Sequence, residues 1–232
     1  MSAQVTLGGL DVLGGLLDLP LSGVWTAMVE VGGDALAVGP TELQVIGDGE
    51  AAVIFRGAVA RVRLVEGRIW ALVVGGMTGG LSVTPLGRVV PALHYDGDPT
   101  PVSAAEIIGD ICELAGEALD SAAVAPLASF TAPSWLRESG LAFHALARSM
   151  RPWGLSARIL PSGLLWAGVE SWSEMKPTPS TVDPLDDSWA FHVAPSGGSL
   201  QPGTAFQERR ILRVTYAFGE ALRARLWYRE EP

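Results

Sequence analysis

The chain has 232 residues, of which 48% are hydrophobic and 18% charged, so it can bury a sizeable core and is too apolar to be disordered. Its formal net charge of −9 argues against general nucleic-acid binding, which needs a basic face, and its single cysteine excludes an intrachain disulfide framework and any multi-cysteine metal site. The 28 glycines and 16 prolines occur without a low-complexity run, which indicates a folded chain with many turns.

Charge is unevenly distributed along the sequence. Residues 1–55 contain seven acids and no lysine or arginine, whereas residues 207–232 contain six arginines and four glutamates. The two ends are therefore expected to attract each other, within one chain or across a subunit boundary. No basic segment opens the chain, and no apolar run approaches the roughly 18–20 residues that span a bilayer. We expect a protein that is made in the cytosol and does not insert into membranes.

The first hundred residues are typical of β structure. Residues 22–31 form a strand candidate, and residues 52–64 and 69–74 flank Glu66-Gly67 as a hairpin. Further short strands are predicted at 81–84 and 89–95. Several short strands with glycine-rich turns favour a small barrel or sandwich.

The hydrophobic period changes in the middle third of the chain. Ser103 and Glu106 form a capping box that predicts a helix, and a second helix is predicted from about Ser139 to Arg151. A hairpin candidate follows at 155–169. This alternation of helix and strand indicates a compact α/β unit.

Beyond residue 172 the composition changes again. Residues 173–187 are polar and rich in proline, which is typical of a connector. The chain then returns to β structure, with a final hairpin whose arms are residues 210–218 and 222–228.

A search for catalytic chemistry finds no convincing motif. The G-x-G-x-x-A match at residues 47–52 is followed by strand-like residues, so a hairpin turn explains it better than a dinucleotide loop. The histidines have no ligand partners at regular spacing, and Cys112 lies in a helix where a buried, inert thiol is expected. We therefore predict no catalytic residue, no cofactor and no metal site.

The eight tryptophans leave two interpretations open. Exposed aromatic side chains stack on sugars, which would suit a carbohydrate- or receptor-binding module. Trp70 and Trp166, however, sit among apolar strand residues and are typical of a core.

A small cell-wall hydrolase also stays open as an interpretation. Glycosidases use a pair of carboxylates, and the sequence does not single out such a pair among the 25 acids.

Short segments, in a fixed order, give the chain a resemblance to a known family. It resembles the short baseplate or tail-tip hub proteins of tailed phages, which are related to the late control protein D family and to the hub part of VgrG proteins. The segments that carry the resemblance are Phe55–Val59, Gly67–Trp70, Ser103–Ile108, Ala145–Ala147, Gly154–Ser156, Pro161–Trp166, Leu200–Thr204 and Arg210–Val214.

The resemblance implies a mainly β fold with an inserted α/β unit and two tail-tube-like β-barrel domains. The first barrel would comprise residues 1–98 and the inserted unit residues 99–172. Residues 173–187 would form the proline-rich connector, and the C-terminal strands of residues 188–232 would complete the second barrel.

The resemblance also implies a function, which is structural and not enzymatic. Three copies would form a ring of six barrels that joins the sixfold tail tube to the threefold spike or fibre and lets DNA pass on infection. The implied partners are further copies of the chain, a tail tube or distal tail protein above, and a spike or central fibre protein below. The location would be the virion tail tip or baseplate, assembled in the host bacterial cytoplasm.

Charged residues at the two ends of the chain are the candidates for contacts within such a ring. No specific nucleic-acid binding is expected, and acids of the N-terminal third would suit a lumen that repels DNA. The candidate interface residues are Glu30, Asp48, Glu50, Arg209, Arg210, Arg223 and Arg225.

Overall fold

Buried and more exposed side chains alternate along much of the first six strands, and these strands close into a barrel. In the computed structural model, the residues described are 4–33, 35–47, 51–176, 180–183, 190–195 and 198–228. The hydrogen-bonded order is β1-β4-β5-β6-β3-β2, and β2 pairs back to β1 through Leu7 and Leu10. The barrel strands are β1 (Gln4–Leu7), β2 (Leu10–Pro20), β3 (Thr26–Val31), β4 (Gly39–Ile46), β5 (Val53–Val65) and β6 (Arg68–Gly75).

Trp25 fills the interior of this barrel beside two strands. Its side chain is 1% exposed and meets the ring of Phe55 edge-on, with ring centroids 5.7 Å apart. A Cβ atom added at Gly75 would lie 2.5 Å from Trp25 Nε1, and one at Gly57 would lie 2.7 Å from the same ring. Glycine at these two positions therefore makes room for the indole.

The predicted hairpin between β5 and β6 is confirmed. Glu66 and Gly67 both adopt positive φ, at 51° and 76°, as a tight two-residue turn between twisted strands requires. Leu64 and Val65 at its tip are 73% and 47% exposed, so the end of the hairpin presents apolar side chains to solvent.

Strands that the sequence analysis placed in the first barrel pair with strands of the region predicted as the inserted unit. Residues 81–84 form turns and bends where a strand was predicted, and the strands within 89–96 pair with residues 134–141 of the inserted unit. The barrel strands thus end at Gly75, ahead of the expected boundary at residue 98. The strands of the unit are β7 (Val89–Val90), β8 (Leu93–Asp96), β9 (Val102–Ser103), β10 (Thr131–Ala132), β11 (Ser134–Arg137), β12 (Gly140–Leu141), β13 (Ser156–Ile159) and β14 (Leu165–Gly168).

Three α-helices lie in this unit: α1 (Ala104–Ala115), α2 (Ser121–Leu127) and α3 (Ala142–Met150). The cap of α1 is confirmed, since the Ser103 hydroxyl accepts a hydrogen bond from the Glu106 backbone N–H at 3.2 Å. Helix α2 was not predicted from the sequence. Helix α3 begins three residues later than expected, because residues 140–141 pair with β7 as strand β12.

None of the helices in the described ranges is long and apolar enough to cross a membrane.

The C-terminal strands continue the sheet of the barrel. Strand β19 pairs with β2 from Arg213 opposite Pro20 to Phe218 opposite Gly15, and β20, β17 and β16 follow in order. The described strands of this region thus extend the first barrel, and completion of a second barrel stays a prediction. These strands are β15 (Ser173–Glu174), β16 (Ser180–Asp183), β17 (Ala190–Ala194), β18 (Thr204–Phe206), β19 (Arg209–Phe218) and β20 (Arg223–Tyr228).

The segment predicted as a proline-rich connector contains two of these strands. Strand β15 pairs in parallel with β18, and β16 pairs with β17. Residues 177–179 and 184–187 of the predicted connector lie outside the described residues. The final hairpin, by contrast, forms where it was predicted, as β19 and β20.

Cys112 is expected to resist alkylation in the folded protein. Its side chain is 1% exposed on the buried face of α1, and burial, with a smaller effect of the Glu117 charge, raises the pKa of the thiol to about 12. Iodoacetamide at pH 8, followed by mass spectrometry, should modify the native chain negligibly and the urea-unfolded chain completely. Rapid modification under native conditions would contradict the burial of this residue.

Candidate assembly interface

Seven strands present one continuous outer face that covers the barrel and the C-terminal sheet. In hydrogen-bonded order they are β17, β20, β19, β2, β3, β6 and β5. On β3, for example, Ala27 and Val29 point into the barrel while Thr26 and Met28 point outward. The side of this sheet that faces away from the buried core is named the outer sheet face.

The middle of the outer sheet face is apolar. Leu16 lies directly opposite Met28, and Met28 lies opposite Leu72, on three adjacent strands. Leu16 is 52% and Met28 46% exposed. The apolar row is defined as the six outward residues that face one another across β20, β19, β2, β3, β6 and β5: Arg223, Ala217, Leu16, Met28, Leu72 and Arg61.

Arginines surround this row in a chain that is acidic as a whole. Among the described residues, the outward charged side chains on these seven strands include seven arginines and three acids. These are Arg56, Arg61, Arg63, Arg68, Arg213, Arg223, Arg225, Asp11, Asp18 and Glu30. The face is therefore basic, with cations at both ends of the apolar row.

Arg68 and Arg213 of this group bind acids of the N-terminal segment. Arg213 donates hydrogen bonds to both carboxylate oxygens of Asp18, one from Nη2 at 2.8 Å, and this bonding raises the pKa of Arg213. Arg68 donates to Glu30 at 3.0 Å. The expected attraction between the acidic start and the basic end thus occurs within one chain, between residues 195 positions apart.

The candidate interface residues fall in different places. Glu30 is 8% exposed and already bound to Arg68, whereas Arg223 and Arg225 are exposed on the outer sheet face. Arg209 and Arg210 lie at the start of β19, where each guanidinium sits 5.3 Å from an aromatic ring centroid, of Tyr228 and Trp172 respectively. Asp48 and Glu50 lie outside the described residues.

The sequence interpretation missed the apolar members of the outer sheet face. A signal was present in β2, where Leu16 and Leu17 are consecutive. Because successive side chains of a strand point to opposite faces, one of two adjacent leucines must point away from the core. Leu17 is fully buried and Leu16 is the exposed one.

A shallow depression of about 550 Å³ lies at the basic end of the outer sheet face. Arg225 stands over the ring of Trp227, with its Cζ atom 5.9 Å from the ring centroid. The residues that line the depression are Leu16, His192, Arg213, Thr215, Ala217, Arg223, Ala224, Arg225 and Trp227. Guanidinium groups beside apolar surface are suited to a partner that is both apolar and acidic.

A second surface, on α1, has the opposite charge. The outward side of this helix carries Glu106, Gly109, Asp110, Glu113 and Leu114, and is named the acidic helix face. A Cβ atom added at Gly109 would meet nothing within 4 Å, so the backbone is open to approach there. Residues 91–141 as a whole contain eight acids and one arginine.

Buried contacts hold α1 against the neighbouring strands. Arg137, which is 3% exposed, donates hydrogen bonds to Asp110 and to the Tyr95 hydroxyl, the latter at 2.7 Å. The Tyr95 hydroxyl in turn donates to Asp110 at 2.5 Å. Burial, and secondly this hydrogen bond, raise the pKa of Tyr95 above its usual range. These contacts attach α1 to strands β8 and β11 through Asp110, which is therefore bound within the chain.

Sugar binding was considered in the sequence analysis because exposed aromatic side chains stack on sugars, so the exposure of the tryptophans is relevant to it. All seven tryptophans that the structure describes are buried or partly buried, and Trp189 lies outside the described residues. Trp135 and Trp153 stack on each other with ring centroids 5.0 Å apart. Within the described ranges no group of three or more histidine, cysteine, aspartate or glutamate side chains is arranged to hold a metal ion.

Known structures share this fold over nearly the whole chain. The 43 kDa tail protein of prophage MuSo2 from Shewanella oneidensis has a TM-score of 0.64 and 10% sequence identity, covering 99% of this chain and 98% of that one. A tail protein from Neisseria meningitidis MC58 has a TM-score of 0.61 and 11% identity, covering 100% and 97%.

A secretion-system protein shows the same similarity. The E. coli c3393 protein is a type VI secretion component described as structurally similar to the T4 bacteriophage tail proteins gp27 and gp5. It has a TM-score of 0.60 and 10% identity, covering 98% of this chain and 77% of that one. No protein-family model and no curated protein sequence matches the chain. The chain therefore has a mainly β fold that it shares with phage tail proteins.

Proposed function

We propose that this chain is a structural, non-catalytic hub protein of a bacteriophage tail or baseplate. The observation that carries the proposal is the end-to-end similarity of its fold to a prophage tail protein, to a second tail protein and to a secretion component described as similar to two bacteriophage tail proteins. The order of short segments in the sequence points to the same class independently of the coordinates.

In this proposal three copies form a ring at the tip of the tail in the virion. With two barrel-like units in each chain, three copies would place six such units around the axis. This arrangement would match a sixfold tail tube or distal tail protein above. The threefold symmetry of the trimer would match a threefold spike or fibre below. The continuous sheet that joins β2 to β19 supports this arrangement, because it makes the two units one rigid wall segment. DNA would pass through the ring.

The N-terminal acids support an acidic lumen less strongly than the sequence analysis suggested. Asp18, Glu30 and Glu42 each form an ion pair with an arginine of the same chain. These N-terminal acids are therefore locally neutralised, and repulsion of DNA by this group of residues would be weak.

Mass in solution tests the proposal. Light scattering coupled to size exclusion should give the mass of three chains, for the protein alone or when mixed with the tail proteins encoded beside it. Negative-stain microscopy of the mixture should then show the chain in a ring at the tube end. A monomer that binds none of these proteins would overturn the hub assignment.

A further inference from the structure

We propose that the apolar row receives the acidic helix face of a second copy of this chain. This inference rests on the proposed function, because a closed ring of copies needs one surface of each chain to bind a different surface of the next. It goes further by naming both surfaces.

The apolar row has the character of a surface that is covered in the assembled protein. Leu16 and Met28 of the row are 52% and 46% exposed on adjoining strands, beside the partly buried Leu72, and Leu13, on β2 outside the row, is 57% exposed. Contiguous large apolar side chains on a rigid sheet mark interaction sites in soluble proteins. Arg61 and Arg223 at the two ends of the row favour an occupant that carries negative charge.

The acidic helix face is the complementary surface on the same chain. Its exposed carboxylates Glu106 and Glu113 lie on the same side of the helix, two turns apart, with Leu114 beside them. Asp110 lies between them and is already bound by Arg137 and Tyr95 of the same chain. The open backbone at Gly109 allows a sheet to approach closely at the middle of the helix.

The dimensions of the two surfaces agree. Six strands spaced by about 4.8 Å make the apolar row roughly 24 Å wide, measured along the curved sheet, and a 12-residue helix is about 18 Å long. Glu106 and Glu113 are about 10 Å apart along the helix axis, so a helix laid along the row would place them between the arginines at its two ends. Since the two surfaces differ, the contact is head-to-tail and can close into a ring.

Cross-linking between copies tests the contact. The variant with Leu16→Cys and Leu114→Cys should form a covalent trimer with a short bis-maleimide, seen as a denaturing-gel band of three chains. Either single variant should give none, because like positions do not meet in a head-to-tail contact. The wild-type chain is the control for Cys112, which is buried.

Charge reversal provides a second, independent measurement. Arg61→Glu with Arg223→Glu should weaken association by about tenfold or more, and Glu106→Lys with Glu113→Lys should do the same. Combining all four changes should restore association. Arg151→Glu, at an exposed arginine outside the outer sheet face, is the matched control and should leave association unchanged.

The outcomes separate this inference from the proposed function. A trimer that ignores the reversals and is not linked through residues 16 and 114 would overturn the contact and leave the hub proposal standing. A link formed by Leu16→Cys alone would also overturn it, because it would show a symmetric contact. A monomer that ignores the tail proteins would overturn both.

Discussion

Replacing Glu117 with alanine is expected to lower the free energy of unfolding by about 3 kcal/mol or more. Its carboxylate is buried and accepts hydrogen bonds from the backbone N–H groups of Met77, Thr78 and Gly80, at 2.5, 3.1 and 2.9 Å. The Thr78 hydroxyl also donates to it, at 2.9 Å. Removing the acceptor would leave the Met77 and Thr78 N–H groups without their hydrogen-bond partner, while the Gly80 N–H would keep its bond to the Thr78 hydroxyl at 3.2 Å.

The end of α1 explains how this contact forms. Gly116 takes a left-handed conformation with φ 74°, and the next residue, Glu117, donates its N–H to the Cys112 carbonyl at 2.8 Å. This Schellman-type ending turns the chain so that the Glu117 side chain enters the loop that leaves strand β6. The carboxylate thereby ties the inserted unit to the exit of the barrel.

Urea unfolding followed by circular dichroism measures the effect of Glu117→Ala. Glu117→Gln should lose less stability, because its carbonyl oxygen keeps part of the acceptor function. Glu220→Ala, which removes an exposed carboxylate from a turn, is the matched control and should change stability by no more than about 0.5 kcal/mol. Equal stability of Glu117→Ala and the wild type would contradict the role of Glu117.

The variant Glu170→Ala, which breaks the ion pair with Arg158, is expected to lower the free energy of unfolding by about 3–5 kcal/mol. The reason is that Arg158 would be left buried without its counter-charge. The two side chains are 14% and 7% exposed. The guanidinium also lies over the Trp166 ring, 4.2 Å from its centroid, and reaches toward the Leu21 carbonyl.

This ion pair lies where three parts of the chain meet. Leu21 follows the second barrel strand, Trp166 belongs to the inserted unit, and Gly203 precedes the C-terminal strand β18. A Cβ atom at Gly203, whose φ is 82°, would lie 2.8 Å from Arg158 Nη2. Loss of the pair should therefore loosen the packing between these parts.

Thermal and urea unfolding of Glu170→Ala, compared with Glu138→Ala, tests this expectation. Glu138 pairs with Arg148 in an exposed bridge, with side chains 68% and 51% exposed, so its removal should cost less than about 1 kcal/mol. Replacing the buried pair together, as Arg158→Met with Glu170→Leu, should recover much of the loss. Similar effects of the two glutamate variants would contradict the assigned importance of the buried pair.

Local features of the fold were predictable because their causes are local. The β5–β6 hairpin depends on the turn residues Glu66 and Gly67, and the start of α1 depends on the Ser103 cap. Helix α2 was missed, although Asp120 caps it by accepting from the Ala122 N–H at 3.1 Å. Its seven residues, with Pro126 inside, carry too weak a hydrophobic period to be distinguished from a loop.

The candidate interface was predictable only in part. The charge asymmetry indicated that the two ends attract each other, and the structure contains such a pair in Asp18 and Arg213. The charges alone could not show which arginines share a face with Leu16 and Met28. That depends on the pairing of β2 with β19, between residues about 200 positions apart in the sequence.

The sequence by itself determined the succession of β, α/β and β segments, the main turns and caps, and a resemblance to phage hub proteins, since these reside in short stretches of neighbouring residues. Only the tertiary structure decided that β2 joins the barrel to the C-terminal sheet, and that the strands within residues 89–96 pair with those within residues 134–141. It also decided that arginines lie at both ends of an apolar row. The physical reason is that strand pairing and surface composition arise from contacts between distant residues, whose free energy local propensity does not encode.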